Sequence, residues 1–339
     1  MHHAALDFPF AAPPAPATPQ AVAPGVFWLR LALPWALDHI NLWLIEDDAG
    51  YALVDTGLGD APTRALWTEL LARLDRPLTR LIATHYHPDH LGNAAWLSAR
   101  CGAPLHMAFG EYLLAHALHA QTGGHDLAAM LAHFRRHGLD EDSLAALAAR
   151  GNIYRRGVPE LPTHFHRLAD GDQLRTGAHT WRAIVGHGHS PEHIALHSDS
   201  AGVLISGDML LPRITPNIAV TAAMPDEDAL GRFLGSLRRF EPLPADTLVL
   251  PAHGLPFRGL HARTDQLHAH HAERDATMIA ALQTEQSAAG LLPVLFPRAL
   301  DRHQLMFALG EAIAHLNHLW HRGLVERREN DGGLRFRRC

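Results

Sequence analysis

Four side chains able to bind a metal ion lie within six positions of this chain, in the pattern His-x-His-x-Asp-His. They are His85, His87, Asp89 and His90. His85 and His87 share one side of an extended chain, whereas His90 would point to the opposite side. The chain must therefore turn at Pro88, and we expect a short loop rather than a helix or a strand. The spacing predicts two adjacent groups of ligands, which two neighbouring metal ions would satisfy.

Chance is the simplest competing explanation, because the chain holds 28 histidines. This cluster differs from the others because further candidate ligands appear later, in order, each directly after a predicted strand. The ends of strands are where α/β folds commonly place active sites. The cluster itself follows the apolar run 78–83. The other side chains at predicted strand ends are Asp55, His189, Asp208 and His253.

This ordered set of motifs resembles that of the metallo-β-lactamase superfamily of metallohydrolases, over roughly residues 25–260. The resemblance implies a site for two metal ions in which no expected ligand is missing. The implied ligands are His85, His87 and His189 for the first metal, Asp89, His90 and His253 for the second, and Asp208 as the bridge between them.

Three further polar residues lie beside these motifs. The sequence Gly-His-Ser-Pro around His189 matches the Gly-His-Thr-Pro of the family, so His189 is taken as the ligand. His193 is interpreted as a residue that supports a ligand or lines the pocket, and His187 is left unassigned. Asp55 is expected to accept a hydrogen bond from a metal-binding histidine. The alternative for Asp55 is a helix-capping or turn aspartate.

Nitrogen and oxygen ligands without a thiolate suit Zn²⁺, with iron and manganese as alternatives. Two metals would hold a hydroxide between them at neutral pH, and we predict Asp89 and Asp208 as the catalytic carboxylates. The predicted reaction is hydrolysis of an ester, thioester or lactone in a small, partly apolar substrate. The alternatives are a metal-dependent endoribonuclease or phosphodiesterase, and a redox enzyme of the same fold with a single iron.

Composition narrows the class of protein. With 339 residues, 47% of them hydrophobic, the chain can bury a full core. Its net charge of −6 argues against a polyanion as the main partner, because nucleic-acid binders usually present a basic surface. Two cysteines and the lack of a secretory signal favour a cytoplasmic enzyme. No apolar run reaches about 18 residues, so we expect no membrane partner.

The chain is predicted to have three parts. Residues 1–24 are rich in Ala and Pro and are expected to be a flexible lead-in without helix or strand. Residues 25–260 form the catalytic domain, within which residues 110–162 are a helical insertion that serves as a lid or pocket wall. Periodicity alone gives a mixed α/β fold. The resemblance implies the αββα sandwich, with the metals at its edge.

Residues 261–339 are predicted as a small C-terminal domain of helices followed by a β-hairpin, with a turn at 330–333. Helices and a terminal hairpin look like a winged helix, which suggests nucleic acid. A packing role, or a role in a homodimer, is the favoured alternative. The arginines that give the tail its local positive charge are Arg327, Arg328, Arg335, Arg337 and Arg338.

Overall fold

The structure is a computed structural model that describes residues 6–330 and 332–339. The first five residues of the predicted lead-in, and Asp331 in the predicted hairpin turn, therefore lie outside the described residues. Among the described residues, no helix is both long and apolar enough to cross a bilayer.

The first sheet has seven strands, which lie side by side in chain order. The first four run antiparallel to their neighbours, and the last three are added in parallel. Because β4 and β5 are parallel, the residues that follow them meet at one edge of the sheet. The strands are β1 (Gln20–Ala23), β2 (Val26–Ala32), β3 (His39–Asp47), β4 (Gly50–Val54), β5 (Leu78–Ile82), β6 (Leu105–Met107) and β7 (His166–Arg167).

The presence of β1 corrects the prediction for residues 1–24. Gln20 and Ala21 pair with Trp28 and Phe27 of β2, so the Ala/Pro-rich stretch does contribute to a ladder. Ala17 is buried in the core of the first sheet. The proline run that ends at Pro19 interrupts hydrogen bonding only as far as its own residues, and the four residues after it are free to pair.

The second sheet has five strands in the order β12-β11-β10-β9-β8. Its first pair, β12 and β11, is parallel and the others are antiparallel. Three of its strands end within three residues of a predicted ligand, since His189, Asp208 and His253 follow β9, β11 and β12. The strands are β8 (Gln173–Thr176), β9 (His179–Gly186), β10 (His193–Ser198), β11 (Val203–Gly207) and β12 (Leu248–Pro251).

Helices cover the outer faces of both sheets, and a two-stranded hairpin, β13 (Val325–Asn330) and β14 (Gly333–Arg338), ends the chain. Short 3-10 helices occupy Arg238–Phe240 and Ala289–Leu291. The α-helices are α1 (Ala61–Arg73), α2 (Pro88–Leu91), α3 (Ala94–Cys101), α4 (Phe109–Ala120), α5 (Leu127–Arg136), α6 (Glu141–Ala148), α7 (Ile153–Gly157), α8 (Ala229–Leu237), α9 (Leu260–Ala281), α10 (Leu292–Leu295) and α11 (Arg302–His321).

Buried side chains show that the layers are ordered α/β/β/α, as the resemblance implies. Along β3, Trp43 joins the core between the two sheets, whereas Leu42 and Leu44 join the core under α1 and α3. This alternation is the period of two that a strand imposes. Trp181 of the second sheet belongs to the same central core as Trp43, and the opposite face of that sheet packs on α8 and α9.

The described residues of the C-terminal segment share their hydrophobic core with the catalytic domain. Leu309 and Ile313 of α11 belong to the same buried cluster as Leu204 of the second sheet and Phe134 of α5. α9 ends at Ala281, and after it Gln286 pairs with Phe336 of β14. The C-terminal segment and the insertion are thus packed onto the same side of the sandwich.

Candidate metal centre

The loop that carries the first four ligands contains one turn of helix, which corrects the expectation of a loop without helix. α2 begins at Pro88, where the fixed φ of proline suits the first helical position, and His87 is its N-cap. The amides of His90 and Leu91 donate to the carbonyl of His87. The predicted turn at Pro88 is confirmed. It directs Asp89 and His90 into the second group of ligands, while the rings of His85 and His90 remain in contact, with centroids 4.0 Å apart.

The first group of ligand atoms converges from four places in the chain. Nε2 of His85 lies 2.8 Å from Nδ1 of His87 and 3.2 Å from Nε2 of His189. Nε2 of His189 lies 3.4 Å from Oδ2 of Asp208. All four ligand atoms lie within 4.8 Å of one another. One cation could contact all of them.

The second group consists of Asp89, His90 and His253, all of them buried. Oδ2 of Asp89 lies 3.5 Å from Nε2 of His253 and 3.8 Å from Nε2 of His90. Its three ligand atoms also lie within 4.8 Å of one another. The structure therefore offers a candidate site for two metal ions.

Asp208 lies between the two groups. Its Oδ2 faces His189 of the first group, whereas its Oδ1 lies 3.4 Å from Nε2 of His253 and 3.6 Å from Nε2 of His90. Because each oxygen faces a different group, one carboxylate can contact two cations at once. This is the bridging position that the resemblance implies for Asp208.

The chemistry of the donor set fits divalent cations. Nε2 of His90 and Oδ1 of Asp208 are buried and have no hydrogen-bond partner among the described residues. Buried polar atoms without a partner are unfavourable, and a bound cation would satisfy both. Imidazole and carboxylate donors suit zinc, iron or manganese.

Each buried histidine of the two groups is oriented by a hydrogen bond from Nδ1. His85 donates to Oγ1 of Thr84 at 3.0 Å, and His189 donates to the carbonyl of Asn217 at 2.7 Å. His253 donates to the carbonyl of His39 at 2.7 Å. A proton held on Nδ1 leaves Nε2 unprotonated and directed into the site, which is the form that binds a metal.

Asp55 fills this supporting role for His90. Its Oδ2 accepts from Nδ1 of His90 at 2.8 Å, and its Oδ1 accepts from the amide and the hydroxyl of Thr84 at 2.8 and 3.0 Å. Asp55 has a φ of +63°, a conformation that Asp and Asn adopt more readily than most residues. The structure thus places the predicted residue against a ligand, and shows that this ligand is His90.

The two remaining histidines near His189 differ in position. His193 is fully buried, and its Nε2 accepts from the amide of Asp208 at 3.1 Å, so it supports the bridging residue. A Cβ at Gly207 would lie 2.5 Å from this ring, and Gly207 has a φ of +51°, so only glycine fits there. His187 lies outside both ligand groups, and its Nδ1 donates to the carbonyl of Pro191.

The histidines of the site differ in the direction in which their surroundings shift the pKa. Burial, and then the neighbouring imidazoles, hold the pKa of His85 well below its usual value, so this ring is neutral. Burial also lowers the pKa of His90, but the carboxylates of Asp55, Asp89 and Asp208 outweigh it and raise the pKa to about 10. The same carboxylates that favour a proton on His90 would favour a divalent cation in its place.

Sequence reasoning missed one buried carboxylate beside the site, Glu111 of α4. Its Oε1 accepts from the hydroxyl of Ser190 at 2.7 Å and the amide of Glu192 at 2.6 Å, and its Oε2 accepts from the amide of Tyr86 at 3.0 Å. Burial raises its pKa to about 7, against these hydrogen bonds, which lower it. The signal available in the sequence was a single acidic residue in the otherwise uncharged segment 103–125.

Two family models match the chain. The model of the metallo-beta-lactamase superfamily matches residues 35–253, a stretch that contains both ligand groups. The model described as the metallo-beta-lactamase-like C-terminal domain matches residues 276–339. The first match covers well over half of the chain, and the second covers α11 and the terminal hairpin.

Solved structures resemble the chain over nearly its full length. A beta-lactamase domain protein from Burkholderia ambifaria is 45% identical, covers 98% of both chains and superposes with a TM-score of 0.93. A metallo-beta-lactamase family protein from Thermus thermophilus is 29% identical, over 94% of this chain and 100% of the other, with a TM-score of 0.79.

Curated relatives are more distant. A hydroxyacylglutathione hydrolase from Fuscovulum blasticum is 26% identical over 223 residues, which are 64% of this chain and 67% of that enzyme. A linear primary-alkylsulfatase from a Pseudomonas species is 26% identical over 228 residues, 42% of its length. The chain spans about two thirds of the hydroxyacylglutathione hydrolases that it matches, or slightly less.

Proposed function

The chain belongs to the metallo-beta-lactamase superfamily and is a metallohydrolase, and from this premise we propose that it cleaves the acyl bond of a thioester, an ester or a lactone. The observation that carries the proposal is the position of Asp208, which faces both ligand groups with separate oxygens. Such an arrangement suits a reaction in which two cations act on one water and one substrate oxygen.

A thioester is the first candidate for the bond. The similar hydroxyacylglutathione hydrolases are named for a substrate in which an acyl group is carried by glutathione, a thiol. Identity to those enzymes is 26% and spans about two thirds of their length, so we carry over the acyl bond and not the thiol partner. The rest of the substrate is proposed only as small and partly apolar.

Two divalent metal ions held by these ligands would supply a water that ionises near neutral pH, and would polarise the substrate oxygen. Within the chain, Asp89 is the carboxylate placed to take up the proton of that water, because its Oδ2 lies beside His253 and His90. Asp55 and the carbonyls of Asn217 and His39 hold protons on Nδ1 of these histidines, so each Nε2 would be taken up by a metal ion and would not accept the proton of the water.

We propose zinc as the metal, with iron and manganese as alternatives, because the donor set contains imidazole and carboxylate and no thiolate. Elemental analysis of protein purified without added metal tests this. Two zinc ions per chain are expected. One iron per chain without a second metal would instead favour the redox alternative.

A nuclease activity is not proposed as a second function, because the arginines that motivated it are partly engaged. Arg327 pairs with Asp226 at 2.6 Å, and Arg328 pairs with Glu326 at 2.7 Å. Paired arginines contribute less to phosphate binding than free ones. The winged-helix interpretation of α11 and the hairpin, and the homodimer, stay predictions.

We also propose that the enzyme acts in a reducing, cytoplasmic compartment on a small molecule. Cys101 and Cys339 are both free thiols, which persist where disulfides are kept reduced. Cell fractionation tests the compartment separately from the activity.

The variant Asp89→Asn tests the mechanism, assayed with a panel of thioesters, esters and lactones. With zinc supplied in excess and the metal content of each sample measured, hydrolysis should fall by about 10²- to 10⁴-fold, the usual contribution of a positioned proton acceptor. The exposed Asp142→Asn is the matched control and should keep full activity. A wild-type enzyme that carries both metals and cleaves no member of the panel would contradict the proposal.

A further inference from the structure

The helical insertion (residues 110–162) contacts the backbone of the metal loop (residues 84–92) at the residue between two ligands. Tyr86 lies between His85 and His87, and side chains of the insertion satisfy both of its backbone groups. Its amide donates to Oε2 of Glu111 at 3.0 Å, and its carbonyl accepts from the hydroxyl of Tyr154 at 2.8 Å. These two hydrogen bonds fix the peptide units on either side of Tyr86, and with them the backbone that carries the side chains of His85 and His87.

The second oxygen of Glu111 reaches a different ligand loop. Oε1 accepts from the hydroxyl of Ser190 and from the amide of Glu192, and Ser190 directly follows the ligand His189. One carboxylate therefore ties together the two loops that supply the three histidines of the first group. This link spans 104 residues of sequence between His85 and His189.

The chemistry of this contact requires a carboxylate. Glu111 is fully buried, and both of its oxygens accept from donors, three in all. A glutamine at this position has the same size, but its NH₂ group would face an N–H or O–H donor on one side. A buried donor that loses its acceptor destabilises the arrangement that depends on it.

The end of the insertion also packs against α2. The amide of Gly59 donates to the carbonyl of Gly157 at 2.8 Å, and a Cβ at Gly157 would lie 2.6 Å from Cβ of Pro88. Pro88 opens the helical turn that carries Asp89 and His90, two ligands of the second group. The insertion thus touches the metal loop at three points, by way of Glu111, Tyr154 and Gly157.

We infer that Glu111 and Tyr154 are positioning residues through which the insertion holds the first group of metal ligands in register. This inference rests on the metal-dependent site proposed above, but it concerns metal affinity and not the substrate. The insertion then acts as a support beneath the ligand loops. The predicted role as a lid over the site is a separate prediction.

The test is a zinc titration of the metal-free protein against a competing chelator. In Glu111→Gln, one of the two zinc ions should bind about 10- to 100-fold more weakly, the range found when a partner of a metal ligand is lost. Tyr154→Phe should weaken the binding of the same zinc ion by a smaller factor, about three- to tenfold, because it removes one hydrogen bond between neutral groups. It also serves as the second test should Glu111→Gln fail to fold.

Two parent variants, each lacking one ligand, identify which zinc ion is affected when Glu111→Gln is added to them. His253→Ala removes a ligand of the second group, so the zinc that remains reports on the first group, and Glu111→Gln should weaken it further. His87→Ala removes a ligand of the first group, and there Glu111→Gln should change little. The matched control is Tyr112→Phe, because Tyr112 also lies on α4 but donates to the carbonyl of Pro162, away from the ligands.

Equal weakening in both parent variants, or wild-type zinc affinity in Glu111→Gln and Tyr154→Phe, would overturn the inference. A lowered thermal midpoint with unchanged zinc affinity would also overturn it, because that result assigns the two residues to general stability. None of these readouts depends on finding a substrate. Failure of the ester and thioester panel would therefore leave this result standing, and the reverse also holds.

Discussion

Replacing Asp55 by asparagine should selectively weaken the binding of the metal ion at the second group. Asp55 is 1% exposed and accepts hydrogen bonds from three donors, the amide and the hydroxyl of Thr84 and Nδ1 of His90. Asparagine can accept from Thr84 through its single oxygen, but its NH₂ group then faces Nδ1 of His90. The ring must give up its Nδ1 proton to accept that bond, and the proton moves to Nε2, where the metal would bind.

The magnitude follows from the bond that is lost. A hydrogen bond to a charged group contributes about 1.5–3 kcal/mol, and about 1.4 kcal/mol corresponds to a factor of ten in affinity. Asp55→Asn should therefore weaken zinc at the second group by roughly 10- to 100-fold. Asparagine tolerates the φ of +63°, so backbone strain adds little to this effect.

The assay is the same two-step zinc titration, with isotope-edited NMR of the histidine rings to follow the tautomer of His90. The control is Asp142→Asn, an exposed aspartate on α6 that contacts neither group. Equal affinity of wild type and Asp55→Asn for both zinc ions would refute the reasoning. So would a loss confined to the first group, because Asp55 touches only His90 among the ligands.

Two further outcomes are expected. His137 is buried, with neither ring nitrogen bonded within the described residues, and burial, then His133 and nearby arginines, lowers its pKa to about 3. Between pH 6.5 and about 3 the unfolded chain therefore binds a proton that the folded chain does not. The free energy of unfolding then falls by on the order of 1.4 kcal/mol for each unit by which the pH is lowered. His137→Phe should remove this loss, and urea unfolding at pH 7, 6 and 5 checks it: a difference from wild type that does not change with pH would contradict the assignment. Gly207→Ala should displace Asp208 and lose zinc, because its Cβ would meet the ring of His193 at 2.5 Å. Gly202→Ala is the control: Gly202 also has a positive φ, but a Cβ there would meet no described atom within 4 Å, so only the small backbone strain should appear and zinc should be retained.

The clearest failure of sequence reasoning was the lead-in. Alanine and proline content predicted no strand before residue 25, yet β1 (Gln20–Ala23) pairs with β2. Composition describes a stretch as a whole, whereas pairing needs only a few residues beside a strand edge.

The insertion shows a second limit. Its helices could be predicted from periodicity, but the elements against which they pack could not. Phe134 belongs to the core shared with the C-terminal segment, and Glu111 reaches the ligand loops. A helical pattern identifies a buried face, but it does not identify the element against which that face packs.

The sequence by itself determined the ligand types and their grouping around Thr84–Gly92, because metal binding requires particular donor atoms and short spacings fix which of them can share a side. It also placed His189, Asp208 and His253 at strand ends. Only the tertiary structure decided that Asp208 divides its oxygens between the groups, that Asp55 supports His90, and that Glu111 joins two loops. These contacts join residues far apart in the chain, so they depend on how the two sheets and the insertion pack.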